Sequence, residues 1–463
     1  MEIRFNAKKT VLVSTAVIAI LLAIFPIAEQ AVVFSHSAAV VLITLVFWTT
    51  GVVPPFLVGL IFFALATVFK LIEPTLLFSG FGSTAVWLII SGFVIGAAIS
   101  TSGLGKRLAS TVAPHLTGSY TRLVGGLVIS AMLLGFVMPS SVGRAVVLIP
   151  IGMALADQVG FSKGSNGRIG IAVALALACN MPSFAVLPAN IPNMILAGAS
   201  ETLYDIQFSY TEYLLLHFPV LGILKSLLII FLVLKIFPDE ISSNCTQDST
   251  DAQDQFDQKS QKKVAILLGI TLLFWVTDTI HGVNPAWVGL VTAVILLLPK
   301  IGVIPPKSFN NSVDFGTVVF VSSALGLGML VNESGIGTYM GEAFSQLLPS
   351  SSSGSFFGFM SLSLTSVVTG LVTTIPGVPA VLSPLAAEFA QATGFSTTAV
   401  LMTQVIGFST VIFPYQVAPL IVAMQLSQEP LSKLVKITLP LTAITIIVLF
   451  PLDYIWWLVL NYI

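Results

Sequence analysis

The sequence predicts an all-α polytopic membrane protein built from two related halves. Composition, recurring apolar runs and an internal echo lead there. Of 463 residues, 56% are hydrophobic and 8% charged, and the mean hydropathy is +1.00. A soluble domain carries about 25% charged residues, so this chain could not cover its surface in water. Apolar runs recur at 11–28, 54–69, 85–101, 168–186, 214–237, 264–280, 286–299, 315–332 and 434–460. As helices, such runs match a hydrocarbon core about 30 Å thick. The short alternating segments of a barrel are absent. The echo lies between 146–162 (VVLIPIGMALADQVGFS) and 380–396 (AVLSPLAAEFAQATGFS). Val147, Leu148, Pro150, Gly160, Phe161 and Ser162 recur as Val381, Leu382, Pro384, Gly394, Phe395 and Ser396, at a constant offset of 381 − 147 = 234. Duplication in a membrane chain points to a transporter with its site between the halves.

Residues 1–32 hold the first run behind Arg4, Lys8 and Lys9. Such flanks resemble a signal peptide. The run is long and more membrane follows it, so it reads as an anchoring first helix. Repeat 1 occupies 33–237 and repeat 2 occupies 263–463. Between them, 238–262 is Ser/Asp/Gln-rich and reads as a flexible cytoplasmic linker. Cys245 lies in that linker and Cys179 in an apolar helix, so no disulfide is expected.

Charge distribution orients the chain. Lys and Arg cluster at Arg4–Lys9, Lys106–Arg107, Lys163–Arg168, Lys235–Lys263, Lys300–Lys307 and Lys433–Lys436, with none between Lys307 and Lys433. The positive-inside rule makes these clusters cytoplasmic. About eleven transmembrane helices plus two re-entrant hairpins satisfy all of them, with the N-terminus inside and the C-terminus outside. Lys70 is the clear exception. The hairpins are 121–156 and 355–391, each apolar and broken midway, at Pro139–Gly143 and Thr373–Gly377. Irregular backbone at mid-depth is tolerated where it lines a cavity. Two plain helices with a tight turn remain the bland alternative.

Further anchors pair in order: Phe81-Gly82-Ser83 with Phe315-Gly316-Thr317, Ser102–Gly105 with Ser334–Gly337, Leu187–Ile191 with Phe413–Val417, and Phe218–Val220 with Leu439–Leu441. The first unit starts outside and the second inside, so the repeats are inverted. That places a solute near the midplane, at broken helices.

This order of hairpin, VLIP helix, broken helix and FPV helix resembles the divalent anion:sodium symporters of the ion transporter superfamily, which carry dicarboxylates, citrate or sulfate. The resemblance covers nearly the whole chain after the first helix. It implies a homodimer in the inner (cytoplasmic) membrane. The family's Ser-Asn-Thr tip motif falls on Ser140, Ser141 and Val142, and again on Thr374, Ile375 and Pro376. Gly-Thr-Pro-Pro-Asn falls on Ala189 to Asn193, and its counterpart on Tyr415 to Pro419. Both tip asparagines are replaced here. In the family the tips help bind sodium and carboxylates, so the resemblance places a candidate sodium near Ser140, Val142, Asn193 and Thr374. No other cofactor is expected, and coupling by sodium, protons or exchange stays open.

Arg144 is the sharpest candidate, three residues past the first tip and opposite Val378. A charge at membrane depth costs about 2.5–3.5 kcal/mol on insertion scales and usually lines a solute path. Its planar fork suits carboxylate, sulfonate or phosphate oxygens. It is expected to bind an anion or stand in for one sodium; the alternative is that it snorkels or caps carbonyls. Asn190 and Asn193 flank Pro192 in the broken helix, and Gln416 is the mate of Asn190. Ser140, Ser141, Thr373 and Thr374 offer hydroxyls at the tips. The bland readings are Asx capping and helix packing. Asn180, Glu388, Asp278, His281 and Lys225 are weaker candidates, and Trp456 with Trp457 fits an aromatic belt.

The expectation is a secondary active transporter of small anions (di- or tricarboxylate, sulfate or sulfonate) working by alternating access. It would touch lipid and a small solute, and no nucleic acid. A transporter of another solute coupled to a cation or proton is the alternative; a channel or an enzyme is less favoured. Paired carboxylates and His-Glu-x-x-His are absent from the sequence.

Overall fold

In this computed structural model, residues 14–22, 24–25, 32–105, 107, 116, 118–241, 257–345 and 355–463 are described. Arg4, Lys8, Lys9, Lys106, Cys245 and most of the linker lie outside them. The helices are α1 (Val32–Thr50), α2 (Pro55–Val68), α3 (Thr84–Ser102), α4 (Tyr120–Val137), α5 (Ser141–Gln158), α6 (Asn166–Ala178), α7 (Ile191–Tyr204), α8 (Tyr210–His217), α9 (Lys225–Ile236) and α10 (Gln258–Val276). They continue as α11 (Pro285–Leu297), α12 (Phe315–Glu333), α13 (Ile336–Ser345), α14 (Phe356–Val372), α15 (Gly377–Leu382), α16 (Ala386–Thr393), α17 (Thr397–Phe408), α18 (Ala418–Ser427), α19 (Ser432–Ile444) and α20 (Phe450–Val459). No strand occurs among the described residues.

Helix starts follow local chemistry. Ser83, Ser119, Ser140, Ser165, Ser209, Ser355 and Ser396 each accept a first-turn backbone N–H through the side chain, as do Asp257, Asn284 and Asp314. These caps satisfy donors that a membrane interior would otherwise strand. The Gly-Phe echo also has a cause. Gly160 and Gly394 take φ of 84° and 74° after α5 and α16, a left-handed turn that favours glycine.

Among the described residues, eight helical stretches are long and apolar enough to cross a membrane, or nine if one bent pair counts as a span. α2, α11, α17 and α18 are apolar but shorter. The expected eleven spans are therefore not all continuous helices, because prolines and polar breaks cut several apolar runs. Within the first expected hairpin, α4 and α5 have 18 residues each and are each long and apolar enough to cross a membrane, and Met138 and Ser141 at the break between them are buried. In the second, α14 and the α15–α16 arm bend by 117° at their break. Pro150 is absorbed within α5, whereas Pro384 separates α15 from α16 with a 3-10 turn. The two copies of one motif therefore fold differently.

Packing between the halves is reciprocal. α2 of the first half lies against α12 of the second, and α11 of the second lies against α3 of the first. α5 packs on α18, and α7 packs on α15. One equivalence escaped the sequence reading. Trp48 Nε1 donates to the Pro55 carbonyl at 3.1 Å, and Trp275 Nε1 donates to the Pro285 carbonyl at 3.0 Å.

Basic clusters far apart in sequence meet. Arg168 binds Asp157 and lies 3.3 Å from Glu429. Lys163 Nζ donates to Gln428 at 3.0 Å, and the Gly167 N–H donates to Asp239 at 2.6 Å. At α10, Arg107 donates to Gln261 at 2.7 Å. Elsewhere Thr84 donates to Glu201 at 2.7 Å and Asn284 to Gln207 at 3.4 Å. With single cysteines in a cysteine-free background, a membrane-impermeant maleimide should label Lys163 and Gln428 from one face, and Gln207 and Asn284 from the other. Labelling of Lys163 and Gln428 from opposite faces would break this arrangement.

Candidate functional site

The first broken helix is α6–α7. After Cys179 the chain makes two proline-started 3-10 turns, Pro182–Ala185 and Leu187–Ala189, and α7 begins with Pro192 in its first turn. Proline lacks the N–H that would continue a helix. The second is α17–α18, with a 3-10 turn at Pro414–Gln416 and Pro419 starting α18. Both breaks and both hairpin tips converge on a cavity of about 440 Å³. Its wall takes Pro139, Ser140, Ser141 and Val142 from the first tip, and Ile375 and Pro376 from the second. Asn180, Asn190 and Ile191 come from the first break, and Val417 to Pro419 from the second. Gly92 of α3 completes the contact: a Cβ there would come within 2.8 Å of Pro139, so only glycine admits the tip so close. The N-termini of α5, α7 and α18 all abut this space, which makes it electropositive on the backbone alone.

Arg144 does not line the cavity. It is fully buried behind the wall. Its Nε donates to the Cys179 carbonyl at 3.0 Å, Nη1 to the Met138 carbonyl, and both terminal nitrogens to the Ala189 carbonyl at 3.4 Å. Nη2 also donates to Ser141 at 2.9 Å and to Ser183 at 2.6 Å. The side chain thus caps the C-terminal end of α6 and ties the tip of one element to the break of another. Arg144, expected to bind an anion or to cap carbonyls, here does the second. Its fork is saturated by carbonyl and hydroxyl oxygens, the donor set that would surround a metal cation. Among the described residues no carboxylate pairs with it.

Ser141 and Asn190 connect that charge to the cavity. Ser141 Oγ donates to Asn190 Oδ1, and Asn190 Nδ2 donates to Ser183 Oγ at 2.7 Å. Ser140 lines the wall and caps α5. Asn193 faces inward instead: its amide donates to Phe184 and Val186 carbonyls at 3.1 and 2.9 Å, bracing the turn. Thr373 bonds back to Thr369, and neither it nor Thr374 reaches the wall. Gln416 accepts from the Ile412 and Phe413 N–H groups and donates to Gly370, each at 2.8 Å. It fastens the second break to the second hairpin, as Arg144 fastens the first.

Asn180, only a weaker candidate from the sequence, belongs to the wall. Both polar atoms of its side chain are buried without a partner, and it lines the cavity. Its position beside the end of α6 is the signal that marks it. Asp314 and Thr317 also line the wall, with Asp314 held by the Thr317 N–H and hydroxyl at 3.2 and 2.7 Å. The other candidates lie elsewhere. Asp278 caps α8 through the Tyr210 N–H at 2.5 Å, and Glu388 borders a separate space with Thr338 and Glu342. Trp457 is fully buried rather than part of a belt, while Trp456 donates to the Leu215 carbonyl at 3.0 Å.

A family model described as a citrate transporter matches residues 43–407. A "Membrane protein" of Cupriavidus necator is 27% identical over 270 residues, 57% of this chain and 52% of that one. The L-tartrate/succinate antiporter of Escherichia coli K12 is 23% identical over 275 residues, 57% of this chain and 55% of that one. The chain thus spans about half the length of these relatives. Among solved structures, the Alcanivorax borkumensis YdaH transporter matches with a TM-score of 0.56 at 17% identity, covering 83% of this chain and 87% of that one. That likeness concerns the fold.

Arg144→Gln should lower the thermal midpoint in detergent markedly, since each orphaned buried acceptor costs about 1–3 kcal/mol. Asn180→Ala, which removes no hydrogen bond within the protein, should leave it nearly unchanged. Equal midpoints for wild type and Arg144→Gln would contradict the saturated clamp.

Proposed function

The chain belongs to the citrate transporter family, and we propose that it carries a small carboxylate anion across the membrane by alternating access. The observation that carries this reading is the cavity walled by both tips and both breaks. Three helix N-termini abut it, and an uncompensated guanidinium lies just behind Ser141 and Asn190. A carboxylate placed there would accept from Asn180 Nδ2, whose donors are free, and from the hydroxyls of Ser140 and Ser141. Arg144 would act through Ser141 and through the field, not by direct contact. Asp314, at the end of α12 next to Lys300–Lys307, would mark the cytoplasmic mouth.

The relative named an L-tartrate/succinate antiporter supports a di- or tricarboxylate substrate. Family and relatives point to transport rather than an enzyme. The reading includes inverted repeats, supported by the reciprocal packing of α2–α12 and α3–α11. It also includes a homodimer and a cytoplasmic N-terminus in the inner membrane. The reading gives sodium no role beside Arg144, in keeping with the Met138, Cys179, Ser141 and Ser183 oxygens that already hold the guanidinium.

Uptake of labelled citrate, malate, succinate and tartrate into proteoliposomes tests this. Saturable uptake of at least one is expected, unchanged when choline replaces sodium. Asn180→Ala should raise KM about tenfold or more, the loss of a hydrogen bond to a charged group. No uptake of any carboxylate would defeat the assignment, and an absolute sodium requirement would defeat the tethered-cation part.

A further inference from the structure

A second buried cation stands at the second break. Lys225 is 1% exposed, and its Nζ donates to the Ser409 carbonyl at 2.8 Å and to the Ser409 hydroxyl at 3.3 Å. Ser409 is the residue that ends α17. Cys179 is the residue that ends α6, and Arg144 holds it. Each broken helix therefore has its C-terminal, electronegative end capped by a buried positive side chain. The two caps differ in chemistry. A guanidinium stays charged, whereas an ammonium can give up its proton and can shift its partner on a flexible stem.

Asp453 makes that difference consequential. It is fully buried in α20, and both carboxyl oxygens lack a hydrogen-bond partner. Among the described residues Lys225 and Asp453, both buried, form no ion pair. An ionised carboxylate with no donor is costly in an apolar interior, and the neutral acid is much cheaper. The two residues sit beside irregular helix. Lys225 directly follows a π-helical segment at Phe218–Leu224, and Asp453 lies one turn past another at Thr445–Leu449. These segments pack on each other. Wide turns of this kind mark places where a helix changes register.

The other titratable groups around the pair can be named. From α8 come His217, buried with its ring 5.9 Å from Trp457, and Tyr213 beside it at 4.7 Å. On α20, Tyr454 stacks edge-on with Phe356 and Phe359 of α14, which itself carries no titratable residue. From α6 come Cys179 and Arg168, from α4 Tyr120 and Arg122, and from α19 Lys433 and Lys436. Arg168, Lys433 and Lys436 belong to the basic end of the fold. On α9, Lys235 at that end is ten residues from Lys225, about 15 Å along the helix.

We propose that Asp453 is a proton-binding site coupled to the second break. In the conformation described, its carboxyl carries a proton while the Lys225 ammonium holds Ser409. On release, the O–H bond breaks and the proton passes to water. Lys225 then leaves Ser409 and pairs with the new carboxylate, which uncaps α17 and lets the second break move with the site empty; with the carboxyl protonated, the break moves only with substrate bound, so exchange continues and net return does not. Net charge at the pair changes from +1 to 0, so proton release and the movement of Lys225 are one event. This rests on the transport reading above and gives that reading its coupling ion.

The test uses the full-length protein in liposomes with labelled succinate or citrate. Carboxylate exchange is measured without a pH gradient, and accumulation with a gradient of one pH unit, about tenfold in proton activity. Wild type should do both. D453N should keep exchange within about twofold, far below the tenfold of one pK unit, and lose gradient-driven accumulation. Accumulation by D453N that follows the gradient as wild type does would overturn the proposal, as would a wild type indifferent to the gradient. Difference infrared spectroscopy reads the proton directly. A protonated-carboxyl carbonyl band present in wild type and missing from D453N supports the site, and identical spectra reject it. Should D453N be inactive in both assays, the band decides. A wild type that neither exchanges nor accumulates any carboxylate removes the transport reading, and the band still decides the proton site.

Discussion

A guanidinium buried in an apolar interior must have every N–H satisfied by an oxygen, and this requirement organises the core of the protein. Arg144 draws oxygens from the first tip (Met138, Ser141), the end of α6 (Cys179) and the turns of the break (Ser183, Ala189). None of these groups could be displaced without stranding a donor. The hairpin and the broken helix are therefore held as one unit, although they come from separate stretches of chain. The cavity wall at Ser141 and Asn190 is the outer surface of that clamp.

The second half meets the same mechanical need with different chemistry. Gln416 stitches the break to Gly370 of the hairpin, using a neutral amide and its own backbone neighbours. The buried C-terminal end of α17 is left to Lys225, which arrives from α9 in the other half. One helix end is thus capped by a guanidinium and the other by an ammonium. The two breaks differ in their turns as well as in their caps, with two 3-10 turns in the first and one in the second.

Much of the architecture was legible in the sequence because it rests on repetition and on helix punctuation. Gly160 and Gly394, the serine caps, and the prolines that start α7 and α18 follow from local rules, and local rules survive in a sequence. The hairpin breaks and the broken helices fell where the small residues and prolines placed them. The site was read less well. Ser140, Ser141 and Asn190 reach the cavity, whereas Asn193, Thr373, Thr374 and Gln416 do not, and Asn180 does. A residue near a break can turn into the cavity or back onto the chain, and sequence position alone does not separate the two directions.

The sequence by itself determined a helical membrane protein, the places where its helices stop, and the presence of a charge beside the first tip. Those are properties of composition, spacing and backbone chemistry within a few residues. Only the tertiary structure decided what that charge touches, that Lys225 serves the opposite half, and that Asp453 stands without a donor. Such facts depend on pairs of residues up to 228 positions apart (453 − 225), and their hydrogen bonds exist only after the two halves have closed on each other.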